Sequence, residues 1–471
     1  MALQGLYNLT NTAVALSLFT LLLGVGARPC FGQPEKHPNI DLFLTAATQN
    51  PIEAEQTLAQ LAAQWKSGYA GMVWDLARLL RPPSPRMMSF ITLVRFLEQQ
   101  TGQQFGQDLS RWNDWVWTQP YDPHPDYAYL KGQWYSQIDQ QFADFFPRGV
   151  RSLIRLDEIE WGGVTVNGIP PLEYPQRLTA DRADYLDDDD IVFGIALNGE
   201  ARAYPKRILA WHEMALDRVG NVELTIVYCT LCGTVIPFES VTGNHHYKFG
   251  TSGLLYRSNK LMFDHETRSL WNTFKGVPVV GTLVNSDLQL TPHAVVTTTW
   301  KEWKTNHPST TVLSLDTGYR RNYAEGAAYR SYFSTDALMF QVSNTDRRLM
   351  NKEQVLVMRL DDPDSDAQLP LAISVGFLRK NRLFSHRFAG RNLIVVTSEQ
   401  GANRVYDAQG DQFVRHGSNT KIIDDTGREW QVTEEALILE SNSDDRRPRL
   451  PTQHAFWFGW YAQFPDTTLI Q

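Results

Sequence analysis

Trp300-x-x-Trp303 is followed by Pro308 and Thr310, and Trp457-x-x-Trp460 is followed by Pro465 and Thr467, at identical spacing. Earlier landmarks recur in the same order. Val192 to Leu197 then Ala201-Arg-Ala-Tyr-Pro205 matches Val355 to Leu360 then Asp366-Ala-Gln-Leu-Pro370. Leu224-Thr-Ile-Val-Tyr228 matches Leu393-Ile-Val-Val-Thr397, and Asp264-His-Glu-Thr-Arg-Ser-Leu-Trp271 matches Asp424-Asp-Thr-Gly-Arg-Glu-Trp430. Four matches in one order mark an internal repeat, so the fold must be one that can be built twice. We expect two related β-rich halves, roughly 170–320 and 350–471, each barrel-like or sandwich-like.

The remainder of the chain has a different texture. From about Asn39 to Phe146 apolar residues recur at three and four, as in Glu53 to Trp65 and Met87 to Gln99, and Pro82-Pro83 and Pro120 to Pro125 interrupt them as loops. After Gly149 short β-rich runs alternate with Gly, Asn, Asp and Pro. Asn198-Gly199 between two apolar runs is a hairpin signal. The chain therefore reads as α+β: a leader over 1–32, a helical domain over 33–150, a β-rich half over 151–330 and a second over 331–471. A helical stack of this kind suits docking a protein partner better than catalysis.

The apolar run from Thr12 to Val25 is too short to span a bilayer and lacks flanking stop-transfer charges. Small residues near Cys30-Phe31-Gly32 offer a cleavage site, with Gln33 as the mature start. We expect an exported protein, periplasmic or extracellular, with no membrane span after cleavage. A net charge of −8 with interspersed signs gives no footprint for nucleic acid. Asp187 to Asp190 is read as a solvated turn rather than a calcium loop. Phe249-Gly-Thr-Ser-Gly253 lacks the spacing of a phosphate cradle and reads as a bend, so no nucleotide cofactor is expected.

Of three cysteines, cleavage would leave Cys229 and Cys232, in Cys229-Thr-Leu-Cys232-Gly233. The spacing suits a redox dithiol, half of a soft-metal site or a small disulfide. The β-branched Thr234-Val-Ile236 and Pro237 that come next predict strand, turn, strand rather than the helix start of a thioredoxin-like dithiol. Aligning the repeats puts Ser398 and Gly401 opposite the cysteines, which argues against a purely structural disulfide.

Two sulfurs do not complete a tetrahedral site, so partners must converge from elsewhere. His212, between Trp211 and Glu213, is the leading candidate, with Glu213 orienting it or acting as acid or base. Met262, Asp264 and His265 follow a predicted strand; Met262 or His265 is a further candidate ligand, and Asp264 a further candidate catalytic residue. His245 and His246 read as exposed turn residues. Two cysteines with His or Met would suit copper or zinc.

A longer series of motifs surrounds these residues. Gly199-Glu-Ala-Arg-Ala-Tyr-Pro205, Trp211-His-Glu213, Tyr228-Cys-x-Leu-Cys-Gly233, Phe249-Gly-x-Ser-Gly-Leu-Leu-Tyr256 and Met262-x-Asp-x-Glu-Thr-x-Ser-Leu-Trp271 stand in that order. Trp300-x-x-Trp303, His307-Pro308 and Asp316-Thr-Gly-Tyr319 continue it. The set resembles the domain-of-unknown-function 3179 family over about residues 160–470, a resemblance that implies no activity, substrate or fold. His265 stands where relatives carry Arg, and Thr230 where Pro is common.

Three functions remain open at this point. One is a copper or zinc site from Cys229, Cys232 and His212. A second is thiol–disulfide exchange with Cys229 attacking, Cys232 resolving and His212 or Glu213 moving a proton. The third is a non-catalytic binding module.

Overall fold

Asn198 and Gly199 both take positive φ, 49° and 81°, and turn strand Ile191–Leu197 back onto Glu200–Pro205 with Leu197 opposite Glu200. That is the twisted two-residue hairpin that Asn-Gly favours. The computed structural model in which it is seen describes residues 37–418 and 420–471, so the expected leader lies outside the described residues.

Six helices of eight residues or more come first: Asp41–Thr48, Pro51–Ala62, Ala70–Leu79, Met87–Thr101, Leu109–Thr118 and Tyr127–Tyr135. Their starts reflect local chemistry. The Asn50 side chain accepts from the Ile52 and Glu53 amides with Pro51 at the first helical position, and Asp108 accepts from the Arg111 amide.

The apolar faces of these helices pack on one sheet, ordered Ile159–Trp161, Phe249–Tyr256, Asn259–Asp264, Leu270–Asn272, Val277–Val280. Strand alternation divides that sheet between two cores. Leu254, Leu261, Phe263 and Leu270 join the helical core, while Leu255, Met262 and Trp271 face the core that holds both cysteines. Asp75 anchors the helical side. It is buried and holds Arg78 at 2.7 Å and Lys131 at 2.6 Å, and the same two cations reach the Ile159 carbonyl that starts the sheet.

The two β-rich stretches share their plan. In the first, Val296–Thr299 pairs antiparallel with Ile191–Leu197, which pairs antiparallel with Glu200–Pro205, which pairs parallel with Thr311–Leu313. In the second, Gln453–Phe456, Gln354–Asp361, Gln368–Ser374 and Thr468–Ile470 repeat that order and those directions. A short helix follows each hairpin, Lys206–His212 and Val375–Lys380, and another follows each outer strand, Trp300–Asn306 and Trp457–Gln463.

The repeated side chains make the same bonds. Trp303 Nε1 donates to Thr310 Oγ1 at 2.8 Å, and Trp460 Nε1 to Thr467 Oγ1 at 2.9 Å. Trp271 Nε1 donates to Asp264 at 3.0 Å, and Trp430 Nε1 to Asp424 at 2.9 Å. Of the barrel-like and sandwich-like forms expected for the β-rich stretches, the barrel is not the one adopted: the sheets are open, and none closes into a barrel among the described residues. Their apolar faces are covered instead by the helical layer and by one another.

Candidate functional site

Cys229 ends strand Val222–Cys229 and pairs with Thr234, the first residue of Thr234–Glu239. The cysteines therefore flank a tight strand-to-strand turn, and no helix starts at them. Gly233 closes the turn at φ 61°, a conformation that strains any residue with a Cβ. A side chain there would also meet the Phe456 ring at 2.9 Å.

Both sulfurs are buried and neither is in a disulfide. Both thiols donate to one oxygen, the Ser258 carbonyl, Cys232 at 3.4 Å and Cys229 at 4.0 Å. That carbonyl is aimed by a two-residue turn, Arg257 and Ser258 at φ 50° and 60°, between strands Phe249–Tyr256 and Asn259–Asp264. The Asn259 amide donates to Cys232 Sγ at 3.5 Å. On the far side, helix Trp457–Gln463 presents Gly459 to the turn, where a Cβ would lie a tight 3.1 Å from Cys232 Sγ.

The two thiols differ electrostatically. Burial pushes both up. At Cys229, hydrogen bonds from the Cys232 side chain and the Lys260 backbone outweigh burial and hold it below the ordinary thiol value. At Cys232, burial and the adjacent Cys229 sulfur push the thiol well above it.

Glu213 ties the turn to its surroundings. It stops helix Lys206–His212 in the left-handed region at φ 55°, with its amide on the Leu209 carbonyl at 2.7 Å. This non-glycine strain is tolerated where the surroundings fix the residue. Its Oε1 accepts from Thr230, inside the cysteine turn, at 2.5 Å and from Tyr329 at 3.0 Å, and its Oε2 pairs with Lys260 at 2.5 Å. A proline at 230 would have no hydroxyl for the first of these bonds.

His212 is turned away from metal ligation. Its Nδ1 bonds the Pro170 carbonyl at 2.9 Å, so this nitrogen carries the proton, and its Nε2 accepts from the Tyr323 hydroxyl at 2.6 Å. Burial lowers its pKa, in keeping with a neutral ring. Met262 is buried in the apolar core with the cysteines. Asp264 is taken up by the Thr267 amide, the Thr267 hydroxyl and Trp271. His265 is exposed, with its ring 4.8 Å from Phe263. It lies six residues along from Asn259, about 20 Å at strand rise.

The expected copper or zinc set is therefore not assembled. Among the described residues no three His, Cys, Asp or Glu side chains form a group that could hold a metal ion. His245 pairs with Glu266 at 2.8 Å in a partly exposed hairpin. In the acidic run, Asp188 pairs with Lys304 at 2.9 Å and Asp190 with Arg207 at 2.5 Å, so it is a charged turn held by cations.

Sequence reasoning missed Ser258, Asn259 and Lys260, which reach the cysteines only through the sheet register. It also missed the connection between the β-rich stretches. Three tyrosines of that connection fasten onto the site: Tyr323 on His212, Tyr329 on Glu213 and Tyr332 on the Leu231 carbonyl at 2.8 Å.

No curated protein and no solved structure matches the chain. A family model does, over residues 166–467, a span that holds the cysteine turn, Glu213, Lys260, the first repeated strand set and all of the second except its last strand, Thr468–Ile470. The chain belongs to the family described as protein of unknown function DUF3179.

Proposed function

We propose that Cys229 and Cys232 act as a redox dithiol exchanging with disulfides. One observation carries the reading: two free thiols converge on a single acceptor, the Ser258 carbonyl, from either side of one turn. The lower pKa of Cys229 makes it the attacking sulfur, since the thiolate is the nucleophile.

In the first step the Cys229 thiolate attacks one sulfur of a substrate disulfide. A mixed disulfide forms and the other substrate sulfur leaves as thiolate. Cys232 then gives up its proton and attacks Cys229 Sγ. The Cys229–Cys232 disulfide closes, and the second substrate sulfur leaves. The dithiol has lost two electrons and the substrate has gained them. A dithiol partner reverses the sequence.

Burial of both sulfurs requires the Tyr332 contact and its neighbours to part for a substrate. His212 does not reach the sulfurs through a free nitrogen; the polar side chains that adjoin the turn include Asn259, on Cys232 Sγ, and Glu213, on the Thr230 hydroxyl. An exported location fits an exchange partner drawn from an oxidising compartment.

The test is equilibration of the folded protein with oxidised and reduced glutathione, with free thiols counted by alkylation. The expected result is a two-electron transition between about −270 and −120 mV, lost in Cys229→Ser. Thiols that exchange only after denaturation would overturn it. Stoichiometric copper or zinc retained by the purified protein and lost in Cys229→Ser would replace it with the metal reading.

A further inference from the structure

The two β-rich stretches meet at a cavity of about 110 Å³. Equivalent elements of both contribute: strand Val296–Thr299 and helix Lys206–His212 from the first, strand Gln453–Phe456 and helix Val375–Lys380 from the second. Gly233 of the cysteine turn forms part of its wall, yet strand alternation directs Tyr228 into the cavity and Cys229 to the opposite face. The cavity is therefore separate from the sulfurs, and a ligand held in it is independent of the dithiol reading.

Its lining is one-sided in charge. Lys206 and Arg379 supply two cations and no Asp or Glu lines the cavity, in a chain of net charge −8. Neither cation has a carboxylate within ion-pair distance among the described residues. The carboxylate that acts on Lys206, Glu325, is already paired with Arg207 at 3.3 Å. Lys206 Nζ instead lies 4.4 Å over the Phe333 ring.

Around the cations stand neutral polar groups: Thr297, Gln354 and the buried His454. His454 Nε2 bonds Asn403 Oδ1 at 2.8 Å, and its Nδ1 has no hydrogen-bond partner. Two unpaired like charges at one cavity repel. An anion between them relieves the repulsion. The space is large enough for several waters or one small oxyanion.

We propose that this junction binds a small oxyanion, a carboxylate or a phosphate group, held between Lys206 and Arg379. Arg379 offers the planar fork that matches such groups, and Lys206 offers a point charge. Thr297 and Gln354 supply further hydrogen bonds.

The test is calorimetric titration of the full chain with inorganic phosphate and, separately, with malonate, at ionic strength fixed by chloride. Saturable binding of at least one is expected, and which one saturates assigns the ligand to phosphates or to carboxylates. Arg379→Gln and Lys206→Gln should each weaken it by about tenfold or more, while Arg415→Gln on a distant exposed strand should not. Arg379 is exposed, so R379Q reads the site without disturbing the core. Heats equal to the chloride control for both ligands, or binding unchanged in R379Q and K206Q, would overturn the proposal.

Discussion

Glu213→Gln removes one charge from the centre of the site and leaves its shape. The Glu213 and Lys260 side chains are 9% and 6% exposed and 2.5 Å apart. A glutamine oxygen still accepts from Thr230 and Tyr329, and the backbone at φ 55° is unchanged, so the substitution isolates the ion pair. Were the pair screened by solvent, its loss would cost about 1 kcal/mol or less. Buried as it is, the loss leaves the Lys260 ammonium with the Glu213 carbonyl at 3.3 Å and no counter-charge. Losing one partner of a buried pair costs about 3–5 kcal/mol. The surviving carbonyl bond puts the expected value near the low end, about 3 kcal/mol.

The double variant Glu213→Gln/Lys260→Met removes the stranded charge and should recover most of that loss. A double-mutant cycle from guanidinium unfolding measures the coupling. A single-variant cost below about 1 kcal/mol, or additive costs in the cycle, refutes the reasoning. Thiol alkylation gives a second readout. Burial is the larger influence on both thiols, and the Glu213 charge adds to it, so E213Q should lower the pH at which Cys229 alkylates.

Asp264→Ala and Asp424→Ala each free a buried Trp Nε1 and a turn amide from a carboxylate. Each should cost about 2–3 kcal/mol in chemical unfolding, and a loss confined to Asp264 would contradict its role as one of two equivalent turn anchors. Gly459→Ala forces a Cβ to 3.0 Å from Cys232 Cβ. The overpacking should cost about 1–3 kcal/mol against a helix-propensity gain of about 1 kcal/mol, with a lower thermal midpoint and faster alkylation of Cys232. Burial, then Arg379, lower the pKa of His454 from 6.5 to about 4. The unfolded chain thus binds this proton between those values and the folded one does not. Stability should fall as pH drops from 6.5 to 4, by about 1.4 kcal/mol per unit from this group, and His454→Gln should flatten the slope.

The repeat was legible because its markers act locally. Trp303 bonds Thr310 and Asp264 bonds Trp271, each seven residues apart, so the spacing itself is the contact. The strand-turn-strand setting of the cysteines was legible for a similar reason, since Thr234 to Pro237 disfavours a helix over its own length. His212 was assigned to the sulfurs because it is near them in sequence. The left-handed residue Glu213 ends the helix just after it, and the ring lies between Pro170 and Tyr323 instead. Lys260 reads from sequence as an ordinary strand lysine. Its burial depends on a hairpin register and on a carboxylate forty-seven positions earlier, which no local pattern encodes. The tyrosine-bearing connection has no period at all, and its role exists only in its contacts.

The second stretch shows what the cysteine turn does not need sulfur for. At the place of Cys229, Ser398 donates to Glu302 at 2.8 Å, accepts from the Ala402 amide at 3.0 Å, and its own amide bonds the Ala402 carbonyl at 2.9 Å. A hydroxyl and a left-handed glycine, Gly401 at φ 90°, close that turn without cysteine. A turn at this place in the fold therefore closes without sulfur. What the first adds is specific to the sulfurs: a carbonyl aimed at both, an amide on one, and a glycine helix surface close against the other. Sulfur is a poor hydrogen-bond partner for holding a turn. Surroundings fitted to two thiols where one hydroxyl suffices elsewhere favour a chemical role for the pair over a structural one.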